Sequence, residues 1–306
     1  MTDKETSKGH LAAFITIFIW GTTFISTKVL LRHFTPIEIL FIRFFIGYTA
    51  LWCVCPRFMP VRSRRQEGTF LLAGLCGICL YYLLENISLT FTQASNVGVI
   101  ISTAPFFTAI LTKLSSKNKE QLGTPFFLGF LTAMAGICLI SFSDGGASLN
   151  PTGDLLALLA AFVWACYSVL TRKISGYGYS TIQTTRRVFF YGILFMAPVM
   201  LFSGFTPDLK ALTSPVNLGN ILFLGLGASA LCFVTWNAAV RILGAVKTSV
   251  YIYLVPVITV TASVLVLKEQ LTIKACAGMV LTLAGLWISE HKWKAGKTVA
   301  ACSSDI

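Results

Sequence analysis

Apolar residues along this chain come in long blocks separated by short polar stretches. Each block runs for roughly 17–23 residues, and a helix that rises ~1.5 Å per residue then crosses a ~30 Å hydrocarbon core. The pattern predicts ten such helices, at residues 11–31, 36–55, 69–91, 95–114, 123–142, 154–170, 181–202, 218–240, 245–267 and 271–289. The connections are too short to hold a soluble domain. The chain is therefore predicted to be an all-α integral membrane protein.

Composition agrees with this interpretation, because the 306 residues are 55% hydrophobic and only 12% charged. A soluble domain of this length needs more charge to cover its surface. Residues 1–10 and 290–306 are polar and are predicted to be short tails. The first apolar block is long and lacks a small-residue cleavage site, so it is predicted to remain as a signal anchor.

The net charge of +12 is distributed unevenly over the predicted loops. If the N-terminus is cytoplasmic, sixteen Lys and Arg residues fall on the inner side and five on the outer side. This bias predicts a multi-pass protein of the cell (plasma or inner) membrane with both termini in the cytoplasm. The basic excess then faces anionic lipid headgroups. A nucleic-acid partner is not expected, since no soluble basic face with interleaved aromatic residues is present.

The two halves of the chain carry similar residues in the same order. The matched pairs include Trp20 with Trp164, Arg43 with Arg187, Phe45 with Phe189, Asn86 with Asn237, and Pro105 with Pro256. This predicts two five-helix repeats, at residues 11–142 and 154–289. Because five is odd, the second repeat enters the membrane inverted. Inverted repeats open to either side by equivalent motions around a site near the midplane.

Short motifs in both halves carry a family resemblance. They are Phe18-Ile19-Trp20-Gly21, Lys28, Pro105 and Glu120-Gln121-Leu122, and then Trp164, Pro256, Lys268-Glu269-Gln270-Leu271, Gly278 and Gly285. Over residues 11–289 the chain resembles EamA-type transporters of the drug/metabolite transporter superfamily. The resemblance implies a ten-helix fold around a central cavity, lined mainly by helices 1, 3, 4, 6, 8 and 9. It also implies substrates such as amino acids, other small metabolites or drugs.

Two charged residues inside predicted helices are the first candidates for chemistry. Charges are expensive in a bilayer and default to functional roles. By helix rise, Arg43 and Glu85 lie about 10 Å and about 9 Å from the outer ends of helices 2 and 3. Either they form a structural ion pair, or Glu85 faces the cavity and binds a substrate amine or a proton. Glu85 aligns with Trp236, so the duplicated scaffold does not require this acid, which favours a role in substrate chemistry.

Polar and aromatic residues within the apolar blocks complete the predicted substrate site. With Glu85 they are Trp20, Thr23, Tyr82, Asn86, Trp164, Tyr167, Trp236, Asn237 and Tyr251. Structural alternatives stay open for them. The tryptophans suit an interfacial aromatic belt as well as a cavity wall. The matched asparagines suit interhelical hydrogen bonds, and their recurrence favours the scaffold.

Four residues are predicted to serve gating or structure, namely Arg43, Arg187, Pro105 and Pro256. Each proline removes a backbone hydrogen bond in mid-helix, which allows either a hinge or a static kink.

Small-residue faces in the last helix of each half are predicted to allow close packing within the fold rather than dimerisation. They are formed by Gly129, Ala133 and Gly136, and by Gly278 and Gly285.

These features favour a secondary transporter over an enzyme. The three histidines lie near termini or loops, acids are scarce, and no Ser-His-Asp set, metal-ligand spacing or phosphate-binding loop appears. No cofactor or metal is expected, and most of the nine cysteines are interpreted as small core residues. The predicted cargo is a small amphipathic metabolite, an amino acid or related compound, moved by alternating access with protons as a candidate coupling ion. The alternatives are drug or cation efflux on the same fold, or an integral membrane enzyme. The chain is expected to be a monomer or homodimer.

Overall fold

The computed structural model describes residues 3–91, 94–115, 123–141, 150–203, 206–267 and 272–290. Within these ranges the ordered elements are helices, with no strand. They form ten helical rods, labelled α1–α10 in chain order, and one short helix, Leu209–Thr213, before α8.

Six rods are regular helices: α1 (Asp3–Leu30), α2 (Pro36–Val54), α5 (Thr124–Ser141), α6 (Pro151–Ser175), α7 (Thr181–Phe202) and α10 (Ile273–Glu290). The other four are composite. They are α3 (Arg64–Gly74, a π-helical segment Leu75–Leu80, Tyr81–Phe91), α4 (Ala94–Ile101, Ala104–Ser115), α8 (Pro215–Leu222, a π-helical segment Phe223–Leu231, Cys232–Leu243) and α9 (Ala245–Val250, a 3₁₀ turn Tyr251–Tyr253, Leu254–Leu267).

Several helices are long and apolar enough to cross a membrane. Counting only the described residues, five meet both criteria: Pro36–Val54, Arg64–Ser88, Pro151–Ser175, Thr181–Phe202 and Pro215–Leu243. Three shorter apolar helices are Thr124–Leu139, Ala245–Thr259 and Cys276–Ser289. Helices of this kind have their backbone polar groups satisfied internally, as the bilayer requires. The protein is accordingly a multi-pass membrane protein.

Capping residues place some helix ends outside the predicted apolar blocks. The hydroxyl of Ser63 accepts from the N–H of Gln66, so α3 begins at Arg64 rather than at residue 69. The Asn150 side chain caps α6, which begins at Pro151 rather than at residue 154. α1 likewise begins at Asp3, so the predicted tail of residues 1–10 is helical from Asp3 onward, while its cytoplasmic position stays a prediction. The polar side chains of such helix extensions can lie in water beyond the bilayer. A search for apolar blocks therefore does not predict these ends of the helices.

The predicted prolines lie beside breaks in matched helices. Pro105 follows the interruption of α4 at residues 102–103, and Pro256 follows the 3₁₀ turn Tyr251–Tyr253 of α9. A proline has no N–H for the carbonyl four residues earlier, and its ring clashes with that carbonyl. Both prolines therefore lie beside helix irregularities, while their role as a hinge or a static kink stays a prediction.

Contacts between the two halves occur in matched sets. α1 packs on α8 and α9, and α6 packs correspondingly on α3 and α4. α2 packs on the π-helical segment of α8, and α7 on that of α3. Equivalent helices of the two halves also contact each other, in the pairs α2–α7, α4–α9 and α5–α10. Exchanging the halves therefore leaves this contact pattern unchanged.

The small-residue faces of α5 and α10 pack against one another. A Cβ added to Gly136 would lie 2.5 Å from the backbone nitrogen of Thr282 and 2.6 Å from the carbonyl oxygen of Gly278. A Cβ on Gly285 would lie 2.7 Å from the Cα of Ala133. The predicted close packing within the fold is confirmed.

Arg186 closes the C-terminal end of α2. Its guanidinium is 5% exposed and donates to the carbonyl oxygens of Cys55 and Arg57. The guanidinium carbon also lies 3.7 Å from the ring centroid of Trp52. Carbonyls at a helix C-terminus have no intrahelical partner, so this buried guanidinium supplies a donor that the end of α2 lacks.

We expect Arg186→Met to lower the free energy of unfolding by about 1–3 kcal/mol, because the partly buried bonds to the carbonyl oxygens of Cys55 and Arg57 lose their charged donor. Thermal unfolding in detergent measures the change. Arg187→Met is the control. Its ion pair with Glu67 is about one-third exposed and should contribute less, about 0.2–1 kcal/mol. An equal or smaller loss for Arg186→Met would contradict the capping role.

Candidate functional site

An aromatic cluster occupies the centre of the fold, where α1, α2, α3, α6, α7 and α8 converge. Its members are Trp20, Phe44, Tyr81, Tyr82, Trp164, Tyr167, Phe189, Phe233 and Trp236. The matched residues Trp20 and Trp164 meet directly, with ring centroids 5.4 Å apart. By helix rise, Trp164 lies about 20 Å and about 16 Å from the two ends of α6. These rings therefore lie deep in the protein, and Trp164 is too buried, at 4% exposure, for an interfacial belt.

The three tryptophans of the cluster differ in their hydrogen bonds. The indole N–H of Trp20 donates to the carbonyl oxygen of Ala228 at 3.0 Å, within the π-helical segment of α8. The indole N–H groups of Trp164 and Trp236 are buried, and neither has a hydrogen-bond partner in the described part of the chain. A buried unpaired donor costs about 1–3 kcal/mol. Two donors are thus left without an acceptor.

Arg43 and Glu85 flank the cluster and are both buried, at 6% and 9% exposure. Arg43 donates from Nε to the Ser229 hydroxyl at 2.9 Å, and its guanidinium carbon lies 5.2 Å from the ring centroid of Tyr82. The Glu85 carboxylate accepts from the Tyr81 hydroxyl at 3.5 Å. Within the described ranges the single ion pair closer than 4 Å joins Arg187 to Glu67. Of the two alternatives left open by the sequence, the direct ion pair of Arg43 with Glu85 is therefore not formed.

Asn237 belongs to a hydrogen-bonded network on the cluster's edge. Its carbonyl accepts from the Tyr167 hydroxyl at 2.9 Å, and its amide donates to the Thr185 hydroxyl at 3.0 Å. Its match Asn86 is half-buried and makes no hydrogen bond among the residues described. The two asparagines therefore have different surroundings despite their matched positions.

We expect Asn237→Ala to destabilise the protein by about 1–3 kcal/mol, because the buried Tyr167 hydroxyl loses its acceptor, whereas the Thr185 hydroxyl keeps its bond to the Thr181 carbonyl oxygen. Transport selectivity should stay unchanged, since the amide oxygen and the amide nitrogen both already bond to the scaffold. Thermal unfolding and substrate competition measure the two effects, with Asn86→Ala as the matched control. A changed selectivity at unchanged stability would instead place Asn237 in the substrate site.

Two other predicted site residues already have a hydrogen-bond partner within the protein. Thr23 donates its hydroxyl back to the Trp20 carbonyl at 2.7 Å. The Tyr251 hydroxyl lies 2.6 Å from Nδ1 of His10, which joins the start of α1 to the break in α9. A hydroxyl can make a further hydrogen bond while it keeps such a partner, so a contact with substrate stays a prediction for both residues.

Both gating arginines join one half of the chain to the other. Arg43 on α2 bonds α8 through Ser229. Arg187 on α7 bonds α3 through Glu67, with N–O distances of 2.7 and 2.9 Å, and Tyr191 donates to the same carboxylate. Side chains that cross between repeats suit a gate, and that role stays a prediction.

A narrow crevice leads toward the cluster from the end of α6 that contains Ser175. Its volume of about 10 Å³ holds about one water molecule. It is lined by Thr171, Ile174, Ser175, Tyr179, Thr181, Thr184, Val188, Asn237 and Arg241. The site is thus closed to a metabolite on this path.

Sequence reasoning missed the two phenylalanines that hold the cluster together. Phe44 and Phe189 are both fully buried, with ring centroids 5.2 Å apart, and each contacts Phe233. The predicted match of Phe189 was Phe45, which is 54% exposed. A repeat offset larger by one residue aligns Phe44 with Phe189. Among the described residues, no three His, Cys, Asp or Glu side chains come together as a metal site would require.

Comparison with known proteins agrees with the geometry. The model of the EamA-like transporter family matches the chain twice, at residues 7–142 and 151–289. An "Uncharacterized transporter" of Archaeoglobus fulgidus is 29% identical over 295 residues, 94% of this chain and 98% of that protein. A "Probable amino-acid metabolite efflux pump" of Salmonella typhimurium is 24% identical, covering 95% and 97%. A solved crystal structure shares the fold with a TM-score of 0.76 at 19% identity, over 92% of this chain and 97% of that one. The chain belongs to the EamA-like transporter family and is a membrane transporter, not an enzyme.

Proposed function

We propose that this transporter carries a small zwitterion, an amino acid or close relative, across the cell membrane by alternating access. The observation that carries the proposal is the pair of buried opposite charges, Arg43 and Glu85, that flank the aromatic cluster without contacting each other. A buried charge without a counter-ion is costly. A zwitterion brings one charge of each sign, so its carboxylate satisfies Arg43 and its ammonium satisfies Glu85.

The aromatic cluster provides the complementary apolar surface. Tyr82 packs beside Arg43, while Tyr81 contacts Glu85 with its hydroxyl and Trp164 with its ring, at 4.8 Å between centroids. A substrate held at its charged end therefore places its side chain among the rings. The name of the Salmonella typhimurium relative, an amino-acid metabolite efflux pump, supports the same substrate class.

Alternating access follows from an inverted repeat of ten spans, with residues 11–142 and 154–289 as the two halves and both termini cytoplasmic. The matched contacts between the halves and the asymmetry of Lys and Arg residues support this arrangement. The breaks before Pro105 and Pro256 act as hinges. Arg187 and Glu67 close the cytoplasmic side, and Glu85 takes up a proton when no substrate ammonium is bound.

Cation efflux is the second candidate. The aromatic cluster and Glu85 favour it, because aromatic faces and a carboxylate both attract cations. Arg43 is evidence against cation efflux, since its buried guanidinium would repel a bound cation. A cationic substrate would also leave the Arg43 charge without a counter-ion.

The direct test is uptake into liposomes that contain the purified protein, with a panel of labelled amino acids and a labelled aromatic amine, with and without a pH gradient. We expect saturable uptake of amino acids, stimulated by a pH gradient of one direction. Uptake of the amine alone would contradict the zwitterion proposal and favour cation efflux.

A further inference from the structure

We propose that the indole N–H groups of Trp164 and Trp236 bind an oxygen acceptor on the substrate's side chain. The transporter then prefers amino acids whose side chain has an apolar body and ends in a carbonyl or a similar acceptor. This inference rests on the proposed function, because it assigns the uncharged part of the same substrate.

The two donors are buried in the interior of the protein. Trp164 is 4% exposed and Trp236 is fully buried. Neither N–H has an acceptor within the described ranges. Their ring centroids lie 6.0 Å apart, one on α6 and the other on α8. One carbonyl, or the two oxygens of one carboxylate, can serve both donors when the rings separate to admit it.

Unpaired donors are not a general property of this cluster. Trp20 lies equally close, with its centroid 5.4 Å from that of Trp164 and 5.2 Å from that of Trp236, yet its N–H is bonded to Ala228. A cluster that needed only apolar rings could contain phenylalanine, as it does at Phe233. The indole donors of Trp164 and Trp236 are therefore best explained by a ligand.

The donors lie where a bound side chain would end. Tyr81 contacts Glu85 at its hydroxyl and Trp164 at its ring, so one tyrosine separates the charged end from the tryptophans. An indole N–H donates and cannot accept. The site thus favours amide, carboxylate or other oxygen acceptors and disfavours the ammonium of lysine and the guanidinium of arginine.

The experiment uses near-isosteric competitors against uptake of labelled glutamine into proteoliposomes. Asparagine is compared with leucine, and unlabelled glutamine with norleucine. In the wild type we expect the acceptor-bearing member of each pair to compete about tenfold better, as one hydrogen bond to an otherwise unpaired donor would give. In Trp164→Phe and Trp236→Phe the ratio should fall toward one, through weaker binding of asparagine and glutamine.

Thermal unfolding of the same variants separates a binding role from a structural one. Trp164→Phe and Trp236→Phe shorten the side chain as much as Trp20→Phe does, but they remove a donor that has no protein partner, so they should lower Tm less. Trp20→Phe removes a donor that is bonded to the protein and should lower Tm. The preference for the acceptor-bearing competitor in each pair should persist in this variant.

Equal competition within each pair in the wild type would overturn the inference, as would a ratio that persists in both phenylalanine variants. A loss of Tm in both variants equal to that of Trp20→Phe would also overturn it, because the N–H groups would then be structural. If no amino acid is transported or competes, the proposed function itself fails and this inference falls with it.

Discussion

Glu85→Gln is expected to raise the KM for an amino acid by about 10- to 100-fold, the effect of losing a charge-assisted hydrogen bond to the substrate ammonium. Glutamine keeps the size of the side chain, and among the described residues Glu85 accepts one long hydrogen bond, from Tyr81, so folding should be little affected. Initial rates of uptake in proteoliposomes, measured over a range of substrate concentrations, give KM and kcat.

Glu38→Gln is the matched control for this effect. Glu38 is as buried as Glu85, at 6% exposure, but it accepts from the backbone N–H of Thr35 in the capping box of α2. Its substitution should lower Tm and leave KM unchanged. A wild-type KM in Glu85→Gln would remove Glu85 from the substrate site.

The same Glu85 variant tests proton coupling. If Glu85 carries the coupled proton, a glutamine there abolishes the stimulation of uptake by a pH gradient, because glutamine cannot be protonated in that range. Unchanged stimulation would show that another group carries the proton, whatever happens to KM.

Gly136→Leu is expected to have the largest effect on stability, a loss of about 3 kcal/mol or more, at or above the upper end for overpacked interiors. Its Cβ would meet the backbone of α10 at Thr282 and Gly278, which cannot rotate away as a flexible side chain can. Tm in detergent and the yield of folded protein measure the loss.

Gly219→Leu on α8 is the control, since no atom lies within 4 Å of the Cβ position there. Its effect should stay within about 0.5 kcal/mol, as for most surface substitutions. A Gly136→Leu variant that unfolds at the wild-type temperature would mean that α5 and α10 are not closely packed in the membrane.

The sequence predicts the placement of helices well because membrane helices are long apolar blocks. It predicts their ends poorly, because the ends depend on caps such as Ser63 and Asn150, which lie outside those blocks. Arg186 was not predicted as a cap for a different reason, because only the folded chain brings it to the end of α2.

The candidate site was predicted in part. The internal repeat identified Trp20 and Trp164 as matched residues, and the structure places them in contact at the centre of the fold. Depth along a helix, however, says nothing about rotation around its axis. Arg43 and Glu85 therefore lie at similar depths without pairing. An error of one residue in the alignment of the two repeats corresponds to about 100° around a helix. This error matched Phe189 with Phe45 instead of Phe44.

The central claim is that the site recognises both charges of a zwitterion, and substrate competition with one charge removed at a time tests it most directly. Uptake of a labelled amino acid is competed with the unlabelled amino acid, its decarboxylated amine and its deaminated acid. We expect the zwitterion to compete at least about tenfold better than either single-charge analogue. Competition by the amine or the acid equal to that of the amino acid would contradict it.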